Sequence, residues 1–516
     1  MKIERTKNAA RNIVWGVIEK VASLLLPFLT RTVMIKVLGA EYLGLSSLFT
    51  SILSVLSISE LGVGTAIVFS MYRPIAEDDN NTLCALLNTY KKIYHVIGLI
   101  ILTVGLALVP ALPYLIKDGE HPGDINLTIL YIVYLVNTAI SYFLFAYKAA
   151  LFSAYQRNDL ASKRTAVISA VSNILKIVVL ILFRNYYVYV IVIPLTTIMT
   201  NLANAFLADK MFPDIKCKGT ISKEMKDGIK RRILGLFSFK IYGVIFTSVD
   251  TIIISRYLGL TDLAIYNNYY YVQTSIIGFL TIITASITAG VGNKMVTNSV
   301  DDNYRDFKNF VFANGWITGW CSVCLFCLYQ HFMEWWVGNS LLFTMDTMTL
   351  MVFYFFLPRL TTMTFTYREA AGLWWEDRIR PLVSAVVNLI VNIILVHFIG
   401  MNGVILSTLL CTIFINIPWG SIILFKNYFK RSPKEYFLQL IYYVLITSLS
   451  GVGTLCVCSL LPGKGFVFLI LKGIICVLVP NVIFWVFYHK MKEYEYMKSL
   501  GKRFTGAIMK KVKRSA

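Results

Sequence analysis

Residues 27–72 read PFLTRTVMIKVLGAEYLGLSSLFTSILSVLSISELGVGTAIVFSMY. Two apolar runs, each long enough to cross a bilayer, meet at a tight polar corner formed by Gly39, Ala40 and Glu41. Ionisable residues, Arg31 and Glu60, sit where hydrocarbon is expected. The second run ends in Glu60-Leu-Gly-Val-Gly-Thr-Ala-Ile, a glycine spacing that lets helix backbones approach closely.

The pattern continues to the end of the chain. Of 516 residues, 57% are hydrophobic and only 15% charged, where a soluble chain has about 25% charged. The apolar blocks resolve into fourteen helices, which predicts an all-α polytopic membrane protein and not a soluble enzyme with an anchor. The first apolar segment lacks the short core and small-residue cleavage site of a signal peptide.

The net charge of +21 invites a nucleic-acid reading, but the location of the charge argues against it. Five of the 49 Lys and Arg residues fall in one set of loops (Lys36, Lys117, Arg184, Arg256, Lys464). Six fall inside helices (Lys20, Arg31, Lys176, Lys240, Arg359, Lys472), and the rest lie at the termini or in alternate loops. This asymmetry is the positive-inside pattern, with both termini cytoplasmic. Nine cysteines offer no disulfide framework. Cys321, Cys324 and Cys327 lie in the apolar segment WITGWCSVCLFCLY, where they read as small buried hydrophobes, so no metal site is expected.

An internal repeat organises the chain. Leu38-Gly39 and Leu43 match Leu258-Gly259 and Leu263 at an offset of 220, and Tyr147-Lys148 and Ala150 match Tyr367-Arg368 and Ala370. Asp78-Asp79-Asn80 matches Asp301-Asp302-Asn303, and Ser169-Ala170-Val171 and Asn173 match Ser384-Ala385-Val386 and Asn388 at slightly drifted offsets. The period holds six helices, an even number, so both copies enter the membrane from the same side. The expected organisation is a six-helix lobe over residues 1–208, a basic cytoplasmic linker at 209–232 and a second six-helix lobe at 233–426. A helix pair at 427–490 and a basic tail at 491–516 follow. Parallel repeats of this kind are a transporter design, with substrate held between lobes and access alternating.

The repeat also sorts the intramembrane charges. Lys20 and Lys240 correspond, whereas Arg31 corresponds to Thr251, Asp250 to Thr30 and Glu60 to Leu280. Arg31 and Asp250 lie one residue apart in register on equivalent helices, so they are expected to face each other across a central cleft. Lys20, Arg31, Lys176, Lys240 and Arg359 outnumber Glu19, Glu60 and Asp250, which makes the cleft cationic and suited to an anionic substrate. Arginine suits phosphate in particular, because its planar fork forms paired charge-assisted hydrogen bonds. Asn267, Asn268 and Tyr269 combine amides with an aromatic ring, a set suited to sugar hydroxyls and ring faces, although an interfacial aromatic belt accounts for the tyrosines equally well. Snorkelling toward an interface is the competing reading for Lys20, Lys240 and Lys472.

Several stretches together resemble the polysaccharide-transport branch of the multidrug/oligosaccharidyl-lipid/polysaccharide exporter superfamily, the Wzx-type flippases. They are NIVWG at 12–16, the PFLTRTVMIKVLG-x-E-Y-L-G-L stretch, ELGVGTAI, and LGL-x3-A-I-Y-N-N-Y at 258–269. The resemblance implies transfer of an undecaprenyl-(pyro)phosphate-linked oligosaccharide from the inner to the outer leaflet of a bacterial plasma membrane, for capsule, O-antigen or exopolysaccharide assembly. It implies alternating access coupled to an ion, H+ or Na+, and Arg31, Lys176, Lys240 and Arg359 as the cationic set. Asp250, Glu60 and Glu19 are the candidate coupling carboxylates on their own account, because burial favours the protonated form of a carboxyl unless it is paired. Membrane lipids, and a polysaccharide polymerase or glycosyltransferases, are the implied partners.

Two other classes compete. A small-molecule antiporter or peptidoglycan-precursor flippase would use the same fold, though a drug-cation antiporter favours an acidic cleft. A membrane polymerase or glycosyltransferase needs a long outer loop or an acidic metal-binding motif. The loops are short, and the five histidines (His95, His121, His331, His397, His489) are scattered. The reading is therefore of a protein that is not an enzyme.

Overall fold

The computed structural model describes residues 5–60, 62–463 and 465–499. Among them the chain is helical with no strands, which is what a segment buried in lipid must be if its backbone polar groups are to be satisfied internally. In order, the helices are α1 (Arg5–Val37), α2 (Ala40–Leu56), α3 (Val63–Ala76), α4 (Asn80–Ala107), α5 (Leu127–Phe143), α6 (Ala149–Ala154), α7 (Asn158–Phe183), α8 (Tyr186–Met211) and α9 (Lys223–Tyr257). They continue with α10 (Leu260–Thr297), α11 (Val300–Val337), α12 (Met345–Leu360), α13 (Thr362–Ala370), α14 (Arg380–Cys411), α15 (Ile417–Leu424), α16 (Lys434–Ser459) and α17 (Phe466–Tyr488).

Eight stretches are long and apolar enough to cross a membrane, with α12–α13 counted as one and Arg380–Phe429, which holds α14 and α15, as another; the bent pair α5–α6 makes a ninth if it is one span. The remaining expected spans are broken or charge-bearing. α14 turns back on itself at Ile399 and Gly400, whose left-handed φ of 54° suits a residue without Cβ. Taking each broken helix as one pass and α14 as two, with α15 completing the second, gives the fourteen passes expected from the sequence.

The chain forms two compact units, residues 1–268 and 269–516. In the first, α1 lies along α7, α7 along α8, and α2 against α9. The corner repeat is visible in backbone geometry. Gly39 (φ 119°) and Gly259 (φ 106°) precede their helices in equivalent left-handed conformations. Gly39 donates to Met34 O and Gly259 to Ile254 O, the same bond 220 residues apart. α2 and α10 meet at this corner: a Cβ on Gly44 would lie 2.2 Å from Leu260 O. Glycine at 44 is required because backbone fills the space.

The acidic runs matched in the sequence occupy different places. Asp79 caps α4 by accepting from Thr82 N (3.0 Å), whereas Ser299 caps α11 and exchanges hydrogen bonds with Asp302 inside the first turn. The basic stretch after α8 is also less linker-like than its charge suggests. Ile215 and Ile221 are buried, Asn88 of α4 donates to Gly219 O, and residues from Lys223 onward already belong to α9.

In the second unit α11 packs against α12, α16 and α17. An aromatic core, including Phe307, Tyr367, Phe425, Phe429 and Tyr436, joins α11, α13, the segment after α15 and α16. Asp377 is fully buried between Arg368 (2.9 Å) and Arg380 (2.6 Å), and Arg380 also donates to Asn416 Oδ1 (2.7 Å).

Candidate functional site

Arg31 leaves α1 about two turns before the Gly39 corner. Its Nη1 donates to Asn267 O (3.0 Å) and to Asn268 Oδ1 (3.1 Å) at the start of α10. One residue earlier on α10, Tyr266 donates to Asp250 Oδ2 (3.4 Å), and the Asp250 side chain is fully buried. Arg31 and Asp250 therefore converge on the single turn Tyr266–Asn268. Asn268 is buried as well, and its Nδ2 finds no acceptor among the described residues. An amide donor beside a guanidinium is a place where a phosphate or hydroxyl oxygen could be received once the turn moves.

Thr30, the neighbour of Arg31, donates to Asn173 Oδ1 (3.0 Å), and this bond ties α1 to α7. Asn173 in turn donates to Ser169 O one turn earlier (2.8 Å). One turn beyond Asn173, the half-buried Lys176 places its Nζ 5.9 Å from the ring centre of Tyr189. Tyr189 stacks on Tyr186 (5.6 Å), which contacts Tyr42 edge-on (5.2 Å) and Tyr134 through their hydroxyls (3.1 Å). Tyr134 also donates to Ser46 (2.9 Å). Tyr189 lies within electrostatic reach of Arg31. Two cations beside an aromatic wall with hydroxyl tips form a surface suited to both anionic and sugar groups.

A second constellation surrounds Glu60. The run read as one helix breaks here: a 3-10 turn spans Ser57–Glu60, and Gly62 follows at φ 91°. Glu60 Oε1 accepts from Tyr94 (2.7 Å) and Oε2 from Tyr142 (2.7 Å), and Tyr90 donates to Tyr94 (2.6 Å). All three tyrosines are buried. The nearby glycines serve this site. Gly62 permits the left-handed exit, and a Cβ on Gly64 would meet the Tyr90 hydroxyl at 2.7 Å.

The other expected residues are dispersed. Lys20 and Glu19 are half-buried in the first half of α1, and the Lys240 side chain lies outside the described residues. Tyr269 is buried in the second unit, donating to Gln330 (2.6 Å) and stacking on Phe343 (4.4 Å). Asn267 donates its own amide to Leu263 O (2.9 Å). Arg359 lines a largely apolar cavity of about 190 Å³ with Asn314, Thr318 and Thr284, and its carbonyl accepts from Asn314 (2.9 Å).

Tyr186, Tyr189, Tyr94 and Tyr142 are the residues that sequence reasoning missed. Tyrosines near helix ends are ordinarily interfacial. The signal that could have found them was i, i+3 pairing of Tyr186 with Tyr189, and placement of Tyr94 and Tyr142 on the two helices that neighbour Glu60.

The fold is shared with known transporters. The lipid II flippase MurJ in an inward closed conformation superposes with TM-score 0.63 over 93% of this chain and 99% of its own, at 17% identity. An inward-facing multidrug resistance MATE family transporter of the MOP superfamily gives 0.59 over 77% and 93%, at 15% identity. An outward-facing one gives 0.53 over 81% and 95%, at 16%. At these identities the likeness is one of fold. No curated protein matches the sequence. A model of the family described as "Polysaccharide biosynthesis protein" matches residues 9–288, more than half of the chain, and the chain belongs to that family.

Proposed function

We propose that this multi-pass membrane transporter is a flippase that moves an undecaprenyl-(pyro)phosphate-linked oligosaccharide from the inner to the outer leaflet of a bacterial plasma membrane by alternating access. The product feeds capsule, O-antigen or exopolysaccharide assembly. The observation that carries this reading is the convergence of Arg31 with Asn268, beside Lys176 and its tyrosine wall. The guanidinium and ammonium receive the pyrophosphate, the amides and tyrosines receive sugar, and the polyprenyl chain stays in lipid. Arg359, Lys240 and Lys20 are the further cations proposed for substrate, and membrane lipids are the medium from which it is taken. A polysaccharide polymerase or glycosyltransferases are the proposed neighbours in the pathway. H+ or Na+ drives the cycle, with Glu60, Asp250 and Glu19 as the carboxylates that bind it.

The test uses purified protein in liposomes carrying a polyprenyl-pyrophosphate oligosaccharide, with glycan reached by a membrane-impermeant glycosidase as the readout. Wild type exposes inner-leaflet glycan and Arg31→Ala does not. If equal rates are found for lipid II and for lipids lacking pyrophosphate, the substrate assignment is wrong.

A further inference from the structure

Cys327 of α11, Cys458 at the end of α16 and Cys476 of α17 are buried, and their Sγ atoms all lie within 4.8 Å of one another. Three thiols carried by three different helices meet at one point. A thiolate–metal bond of ~2.3 Å places sulfurs about 4 Å apart around a trigonal or tetrahedral ion, so the observed cluster is already near that size. From these residues we propose that the second unit holds a thiophilic divalent cation of the zinc class. The ion joins α11 to the terminal helix pair.

The surroundings favour a charged occupant over three packed thiols. Lys472 sits one turn before Cys476 and is only 5% exposed, although its helix is otherwise apolar. Its Nζ lies 2.9 Å from His331 Nε2, and His331 is one turn beyond Cys327. Burying an ammonium in this setting costs several kcal/mol unless negative charge lies nearby; Glu334, on the cavity it shares with His331 and Lys472, supplies part of it, and thiolates one turn away on both helices would supply more. Thr454, one turn before Cys458, is fully buried with its hydroxyl unpaired among the described residues, and so is a donor for sulfur. Charge also selects the ion. Three thiolates, Lys472 and a divalent cation sum to zero, whereas a monovalent ion leaves one negative charge. Counting Glu334, which lines the small cavity beside His331 and Lys472, adds one negative charge to either case, so the divalent ion stays the less costly. Binding displaces the thiol protons, and the three protein ligands leave one position of a tetrahedral ion open.

The experiment uses the full chain in detergent, reduced and stripped with chelator, then titrated with Cd2+ or Co2+. Thiolate-to-metal charge-transfer absorption and the bound metal per chain are read together. One equivalent is expected. Cys327→Ser and Cys476→Ser abolish the band, whereas Cys84→Ser and Cys456→Ser leave it unchanged. Lys472→Met weakens binding by about tenfold to a hundredfold, as loss of an outer partner does. Thermal unfolding is followed in parallel. Metal raises the melting temperature of wild type and not of Cys476→Ser, provided the two melt alike without metal. Absence of a band in wild type, a band that survives both serine variants, or intact-mass detection of a disulfide among these thiols in the protein as purified would overturn the proposal.

Discussion

At the scale of single residues, the charges in hydrocarbon were legible and their partners were not. Arg31 and Glu60 stood out because an ion in lipid needs a reason. The structure supplies the reason in each case: Asn267 and Asn268 for the arginine, and Tyr94 and Tyr142 for the carboxylate. Those partners come from far along the chain, and nothing in local periodicity marks an asparagine amide or a tyrosine hydroxyl as the partner of a distant charge. The same limit hid the thiol cluster, since only Cys327 belonged to the run that attracted notice. Two predictions belong here. Arg31→Lys keeps the charge but lacks the planar guanidinium that can pair with two phosphate oxygens at once; transport should fall by about tenfold or more, for a loss of ~1.5–3 kcal/mol. Glu60→Gln, by contrast, should leave transport no longer dependent on the ion gradient, as measured by initial rates with and without an imposed pH or Na+ gradient. Unchanged gradient dependence would remove Glu60 from the coupling path.

At the scale of elements, the corner at Leu38-Gly39 was legible because its glycine is required by backbone conformation in both repeats. The breaks were not. The stretch from Ala40 to Ala76 is apolar enough to pass for one helix, and only the left-handed Gly62 and the tyrosines around Glu60 explain why it stops and restarts. Gly62→Ala should cost about 1–2 kcal/mol through left-handed strain, read as a lower melting temperature in detergent. Gly44→Ala should be worse, because the new methyl meets the Leu260 carbonyl, which cannot move aside like a side chain. The loop after α13 carries the other element-scale surprise. Between α13 and α14, Asp377 is buried with Arg368 and Arg380 in one cluster. Asp377→Ala strands two buried guanidinium groups and should destabilise by about 3–5 kcal/mol. Removal of the exposed Arg73–Glu77 pair should leave the melting temperature unchanged.

At the scale of the whole molecule, the class of protein followed from composition and from the run of apolar blocks, and the superpositions on MurJ and MATE transporters share its all-helical fold. The repeat was legible at its corner, where sequence and hydrogen bonding agree at one offset, and less so at the acidic run, which caps one helix and lies inside another. On the proposed reading, function at this scale reduces to which lipid needs the protein in order to cross. The most direct measurement is the lipid inventory of cells from which the gene has been removed. The account predicts that one polyprenyl-pyrophosphate oligosaccharide accumulates on the cytoplasmic face, and that the wild-type gene clears it while the Arg31→Ala gene does not. An unchanged lipid profile, or accumulation of a species without a pyrophosphate, would contradict it.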